Sequence, residues 1–252
     1  MNTTSEEIIT KVPQITLLFW LIKIAATTLG ETGGDALSMS MHLGYLTATV
    51  IFALVFIIAV GIQIAAKKFH PYVYWTTIIA TTTVGTTLAD FADRSLGIGY
   101  LGGTTILLTL LILSIVVWYR TLGSISVESV SSSKAEIFYW VTIMFSQTLG
   151  TALGDWTADS AGLGYTGGAL IFSGLLALVV GAHYWTSISK TLLFWVAFVL
   201  TRPLGAVVGD FLDKPISSGG LDLSRYSASF ALVAFILACL VLFEHKPAAE
   251  HH

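Results

Sequence analysis

The chain has 252 residues, 55% of them hydrophobic and only 11% charged, with a mean hydropathy of +0.82. A water-soluble domain carries about 25% charged residues, so composition excludes an ordinary soluble globule and points to a polytopic membrane protein. The net charge of −3 excludes a strongly basic nucleic-acid binder, and the single cysteine, Cys239, leaves no disulfide within the chain.

The first residues, Met1 to Glu7, lack the basic start of a secretory signal, so the first apolar span is expected to be retained. Stretches of spanning length (roughly 17–25 residues) fall near 13–30, 43–66, 72–90, 98–119, 136–154, 163–186, 191–210 and 226–243. They predict an all-α fold of eight transmembrane helices forming one transmembrane domain over 1–252. The Ser-rich stretch from Ser124 to Lys134 divides the halves as the longest loop. The closing Glu250-His251-His252 resembles the remnant of a purification tag and enters no argument.

Basic residues set the orientation. Lys11, Lys67, Lys68, Arg120, Lys134, Lys190 and Lys246 lie at the termini and even-numbered loops, against Arg94, Lys214 and Arg225 in the odd-numbered ones. Both termini are therefore expected in the cytoplasm.

Four times a Trp is followed ten residues later by Gly and fifteen later by Asp: Trp20/Gly30/Asp35, Trp75/Gly85/Asp90, Trp140/Gly150/Asp155 and Trp195/Gly205/Asp210. Each set belongs to a two-helix repeat, approximately 13–68, 69–122, 134–188 and 189–246. Two spans per repeat is an even number, so the repeats are expected to run parallel, in a pseudo-fourfold or two-plus-two arrangement about the membrane normal. The odd spans carry small and hydroxylic residues such as Thr81-Thr82-Thr83. The even spans are lipid-like, as in Val50 to Ile58. The odd helices should therefore be inner and the even helices outer.

On each odd helix, positions seven, eight, eleven and fifteen after Trp share one side. They read Thr27/Thr28/Glu31/Asp35, Thr82/Thr83/Thr86/Asp90, Gln147/Thr148/Thr151/Asp155 and Arg202/Pro203/Ala206/Asp210. Asp93, Asp159 and Asp213 follow three or four residues after a repeat Asp, at helical spacing. Hard cations prefer such oxygen clusters. The expected ion site is thus Asp35, Asp90, Asp155 and Asp210, the four that would ligate a metal, assisted by Glu31, Asp93, Asp159 and Asp213. Nine outer acids against three bases would leave an open vestibule of about six negative charges that draws cations in. The alternative is a structural hydrogen-bond network, or Asp35 capping a new short helix if the chain breaks at its glycines.

Lys23 and Arg202 lie within spans and are expected to balance charge. Lys23 shares a face with Thr27 and Glu31, or snorkels to the surface. Arg202 should pair with an Asp of its own or a neighbouring repeat. The Trp residues, and the Tyr of Gly44-Tyr45, Gly99-Tyr100 and Gly164-Tyr165, read as interfacial anchors. Met39, Met41 and His42 offer a weak soft-metal alternative.

These Trp…Gly…Asp units, with Leu149-Gly150…Gly154-Asp155 and Leu204-Gly205…Gly209-Asp210 as their clearest forms, resemble a bacterial family of membrane-anchored proteins. That family is built from four tandem two-helix repeats of unknown function. The resemblance covers roughly 13–244 and implies the fold and an inner-membrane location, but no activity. No phosphate-binding loop, His-Glu-x-x-His or Gly-x-Ser-x-Gly occurs, so no enzyme is expected. The residues themselves suggest a cation transporter or channel, a divalent-metal exporter being one form. The alternatives are a non-transporting scaffold or sensor, and a lipid- or small-molecule-binding membrane protein. Expected partners are the lipid bilayer, the cation and a second copy in a homo-oligomer, with no nucleic acid. No cofactor is expected beyond a bound divalent cation.

Overall fold

The computed structural model describes residues 10–248. The expectations for Met1–Glu7 and Glu250–His252 lie outside the described residues. The described residues are all-α, with eight α-helices among them: α1 (Leu17–Asp35), α2 (Tyr45–Ala65), α3 (Pro71–Asp90), α4 (Gly99–Leu122), α5 (Ser133–Asp155), α6 (Gly164–Trp185), α7 (Lys190–Asp213) and α8 (Arg225–Leu242). Five of them, α2, α4, α6, α7 and α8, are long and apolar enough to cross a membrane, which makes this a membrane protein. Their even members bury little of their surface, whereas α7 buries most of it. Leu54, Ile57, Leu113, Leu178 and Phe230 face outward from the even helices.

The four odd helices close a ring. α1 packs on α3, α3 on α5, α5 on α7, and α7 back on α1. Outside them, each even helix packs on the odd helix of the next repeat: α2 on α3, α4 on α5, α6 on α7 and α8 on α1. The Thr-rich stretches that lower the hydropathy of α1, α3 and α5 are buried inside this ring.

Glycine brings the inner helices together. A Cβ on Gly85 would stand 3.0 Å from the backbone of Gln147 and Thr148, and one on Gly34 would stand 3.1 Å from Thr86. The tenth residue after each Trp meets the seventh position of the next repeat: Gly30 meets Thr82, Gly85 meets Gln147, Gly150 meets Arg202, and Gly205 meets Thr27. The same handshake thus runs through all four interfaces. It is the close approach that small residues allow between membrane helices.

At one end the ring is closed by aromatic side chains. Phe19 lies 5.3 Å from Trp75, the Tyr74 and Tyr139 hydroxyls are 2.6 Å apart, Tyr139 lies 6.2 Å from Trp195, and Phe194 lies 6.3 Å from Phe19. This corrects the anchor expectation for Trp. Trp75, Trp140 and Trp195 are buried in the core, and Trp20 is half-buried against Phe194. The signal was the aromatic before each of them, Phe19, Tyr74, Tyr139 and Phe194. An anchor needs one aromatic group at the interface, whereas a plug needs a layer.

At the other end the helices do not break at their glycines. α1 runs through Gly30, Gly33 and Gly34 to Asp35, which caps nothing. After Asp35, Asp90 and Asp155 the chain continues as a π-helical turn, at 36–40, 91–95 and 156–160. Widened turns of this kind often occur at functional sites. In the fourth repeat α7 instead continues to Asp213 and ends before Pro215. Gly44, Gly99 and Gly164 take left-handed conformations with φ of 76°, 74° and 63°. The Gly of each Gly-Tyr pair therefore makes the turn into the next even helix.

Candidate functional site

The repeat aspartates Asp35, Asp90, Asp155 and Asp210 all lie past the last turn of the ring's Thr stripe. Each is at most 4% exposed. Carboxylate oxygens of Glu31, Asp155 and Asp210 lie within 4.8 Å of one another, as do those of Asp35, Asp210 and Asp213. Asp210 belongs to both groups, so carboxylates from α1, α5 and α7 form one continuous patch.

Two cations hold this patch in pairs. Arg94 sits 3.0 Å from Asp90 and 3.3 Å from Asp155. Lys214 reaches Asp35 and lies 3.0 Å from Asp210 and 4.0 Å from Asp213. Each base stands four residues after its own repeat Asp and bridges to the Asp of the following repeat. Positions 39 and 159, the equivalents in repeats one and three, hold Met and Asp. The arrangement is therefore two-plus-two in charge. Sequence spacing assigned Arg94 and Lys214 only to loop charge balance, although their i, i+4 offset was visible. Burial works against the charge of Arg94, but Asp90 and Asp155 more than offset it and raise its pKa. Burial likewise opposes Lys214, while Asp210, Asp35 and Asp213 raise its pKa above the ordinary lysine range.

Arg225 completes the outer rim at 3.0 Å from Asp213 and 3.7 Å from Asp35, and it donates to Ser40 Oγ at 3.2 Å. Tyr45 accepts from Arg94 Nη1 at 3.2 Å and Tyr100 accepts from Nε at 3.1 Å. These two tyrosines thus brace the guanidinium rather than serving as plain headgroup anchors.

Beneath the carboxylates Arg202 crosses the ring. It is fully buried. Its Nη2 donates to Glu31 Oε2 at 3.1 Å, to Thr151 Oγ1 at 2.5 Å and to Thr86 Oγ1, and its Nη1 donates to the Thr27 carbonyl at 3.3 Å. One side chain from α7 therefore ties α1, α3 and α5. The expected Asp partner is corrected to Glu31. The guanidinium reaches it because Glu31 lies in the same layer as Thr86 and Thr151, one turn below the aspartates.

Three other expectations change. Asp93 turns away from the ring and packs against Gly103 of α4, with neither oxygen hydrogen-bonded. Burial pushes its carboxyl up, against the opposing pull of Arg94. Asp159 is exposed and only accepts from Tyr100 at 3.3 Å. Lys23 neither snorkels nor meets Glu31. It is fully buried with its ammonium 4.1 Å over the Phe198 ring and without a hydrogen-bond partner.

The vestibule is accordingly not an open ring of free carboxylates. Glu31, Asp35, Asp90, Asp155, Asp210 and Asp213 interlock with Arg94, Arg202, Lys214 and Arg225. Six acids against four bases leave a formal charge of two minus. Asp210 Oδ1, although 3.0 Å from the Lys214 ammonium, makes no aligned hydrogen bond.

The family described as Repeat of Unknown Function (DUF347) matches at 18–69, 73–124, 138–189 and 193–244, four successive segments of equal length. The chain belongs to this repeat family. The matched segments each start within a turn of the Trp and take in both helices of a repeat, so the family's unit is the odd helix plus the even helix that follows it. No curated protein and no solved structure matches the chain.

Proposed function

We propose that this repeat-family protein crosses the bacterial inner membrane eight times and carries a divalent cation, bound by Glu31, Asp155 and Asp210 at the mouth of the ring. Both termini lie in the cytoplasm, so the mouth faces outward. The observation that carries this reading is the meeting of three buried carboxylates from three helices in a network with two negative charges to spare. A divalent ion balances that charge and suits an all-oxygen ligand set. Asp35 and Asp213 extend the patch toward the rim.

Arg202 favours a carrier over a channel. A guanidinium lying across the axis repels a cation in transit, and the aromatic layer stops the path below it. A standing open pore is therefore disfavoured, and a carrier that exchanges its internal cations for the ion is favoured. In that scheme Arg94 and Lys214 occupy the site's negative field when the ion is absent and swing aside when it binds. No bond is made or broken in this cycle, and none of the ring residues is asked to act as an enzyme.

One observation favours the structural alternative: every repeat Asp already has a base within 3.3 Å. Flux separates the two. Purified protein in proteoliposomes should move one of Mg²⁺, Mn²⁺, Co²⁺ or Zn²⁺, and Asp155→Asn should abolish that flux in protein that still folds and expresses. A lower Tm with no flux in either protein would make the network purely structural.

A further inference from the structure

The quasi-fourfold packing creates four equivalent outer grooves. Each lies between an even helix and the odd helix two repeats on, over the odd helix between them. The chain fills three of them differently. In the groove between α2 and α5, Lys11 donates to the Ile64 carbonyl at 2.9 Å and pairs with Glu136 at 2.7 Å. In the groove between α4 and α7, Trp118 packs 5.8 Å from Trp195, whose indole donates to the Ile125 carbonyl. Beside α3, at the same end of the fold as the groove between α8 and α3, residues 244–246 with Pro13, Gln14 and Thr16 close around a smaller cavity of about 210 Å³ that Trp75 also lines.

The fourth groove, between α6 and α1 over α7, stays open as a crevice of about 690 Å³. Position 43 after each Trp explains the difference. It holds Gln63, bound to the Lys11 carbonyl at 3.2 Å, then the fully buried Trp118, then His183, then Ala238. His183 is exposed and lines the crevice, where the equivalent Trp118 fills its own groove.

The crevice has an apolar body and a charged mouth. Ile24, Val179 and Phe194 line the body, while Glu128, His183 and Lys190 line the mouth. Tyr184 and Trp185 beside that mouth are 75% and 84% exposed, the pattern of an aromatic belt at a membrane boundary. An apolar body leading inward from a mouth at headgroup depth suits an acyl chain. An acid and a base at one mouth suit a headgroup carrying both charges.

We propose that this groove holds one phosphatidylethanolamine molecule, with an acyl chain in the crevice, its phosphate at Lys190 and His183, and its primary ammonium at Glu128. Phosphatidylglycerol has no ammonium for Glu128, and phosphatidylcholine has no N–H to donate to it. The lipid would fill, from outside the chain, the space that Trp118 fills in the preceding groove.

Native mass spectrometry of delipidated protein titrated with each lipid tests this. One phosphatidylethanolamine should bind at least about tenfold more tightly than phosphatidylglycerol or phosphatidylcholine. His183→Trp, which supplies the indole found at the equivalent position, should fold and lose that lipid. Val180→Trp, from an exposed lining position, is the second variant should the first not fold. Glu128→Gln should erase the preference over phosphatidylglycerol. Equal binding of the three lipids, or undiminished binding in a folded crevice-filling variant, would overturn the assignment.

Discussion

Arg202 of the last repeat donates to Glu31 of the first at 3.1 Å, and both side chains are buried. The pair closes the ring where the two ends of the chain meet, between α7 and α1. It also sits in the layer between the carboxylate mouth and the aromatic plug. Glu31 is therefore shared between a structural cation and the proposed ion.

Removing one member of a buried ion pair costs more than removing both. The survivor is left charged without a partner, at about 3–5 kcal/mol, whereas an apolar replacement of both can come close to neutral. Arg202→Met should therefore lower stability by about that amount, and Arg202→Met with Glu31→Met should recover most of it. Thermal or denaturant unfolding in one detergent measures both. Arg202→Lys should not rescue, because an ammonium cannot span the Thr86, Thr151 and Thr27 acceptors in one plane.

If Arg94 and Lys214 stand in for the ion, removing either should tighten ion binding. Arg94→Gln takes the network from two minus to three minus and frees Asp90 and Asp155 together. The expected result is a divalent-cation Kd lower by at least about tenfold, or 1.4 kcal/mol, with reduced stability of the ion-free protein. Isothermal titration reads the first effect and Tm with chelator reads the second. Unchanged or weaker binding would show that the bases organise the site rather than compete for it.

Eight helices and the repeat were legible because apolar periodicity and a fourfold Trp-Gly-Asp spacing are local signals, but the first limit was not, since α1 runs on through its glycines to Asp35 rather than ending near 30. The expected meeting of all four repeat aspartates resolves into two groups, Asp155 with Asp210 and Asp35 with Asp210, while Asp90 joins Asp155 only through Arg94. Pairing was not legible. Whether Arg202 chose Asp210 or Glu31 depends on which layer of the ring its guanidinium reaches, a fact of tertiary geometry. Asp93 and Asp90 are three residues apart on paper, but the π-helical turn after Asp90 rotates Asp93 toward Gly103. Phe19, Tyr74, Tyr139 and Phe194 were legible as a repeated aromatic before each Trp. Their meaning as a plug needed the closed ring.

Asp93 yields a pH prediction with a definite sign. Its pKa is raised by burial, so the unfolded chain gives up this proton at lower pH than the folded one. Above the unfolded value near 3.9 the ionised group costs folding free energy, and the cost grows until pH passes the folded pKa. Asp93→Asn should therefore raise Tm at pH 7.5, on the order of a few degrees, and the gain should shrink as pH falls below the folded pKa. Tm against pH for the two proteins measures it. A constant gain at every pH would point to packing against Gly103 rather than charge.

The glycine handshake predicts a sharp contrast between two positions. At Gly85 a new methyl group would meet the Gln147 and Thr148 backbone at 3.0 Å, where no flexible side chain can move aside. Overpacking of this kind typically costs about 1–3 kcal/mol, so Gly85→Ala should lower Tm and push α3 away from α5. Gly33, also within a helix, would place its methyl no closer than 4.0 Å to Leu29. There the substitution brings only the better helix propensity of Ala, about 1 kcal/mol at most, and Gly33→Ala should be neutral or stabilising. Paired unfolding curves decide the matter. Equal effects at the two sites would mean that the inner helices do not approach as closely at Gly85 as at this spacing, and the ring closure argued from it would fail.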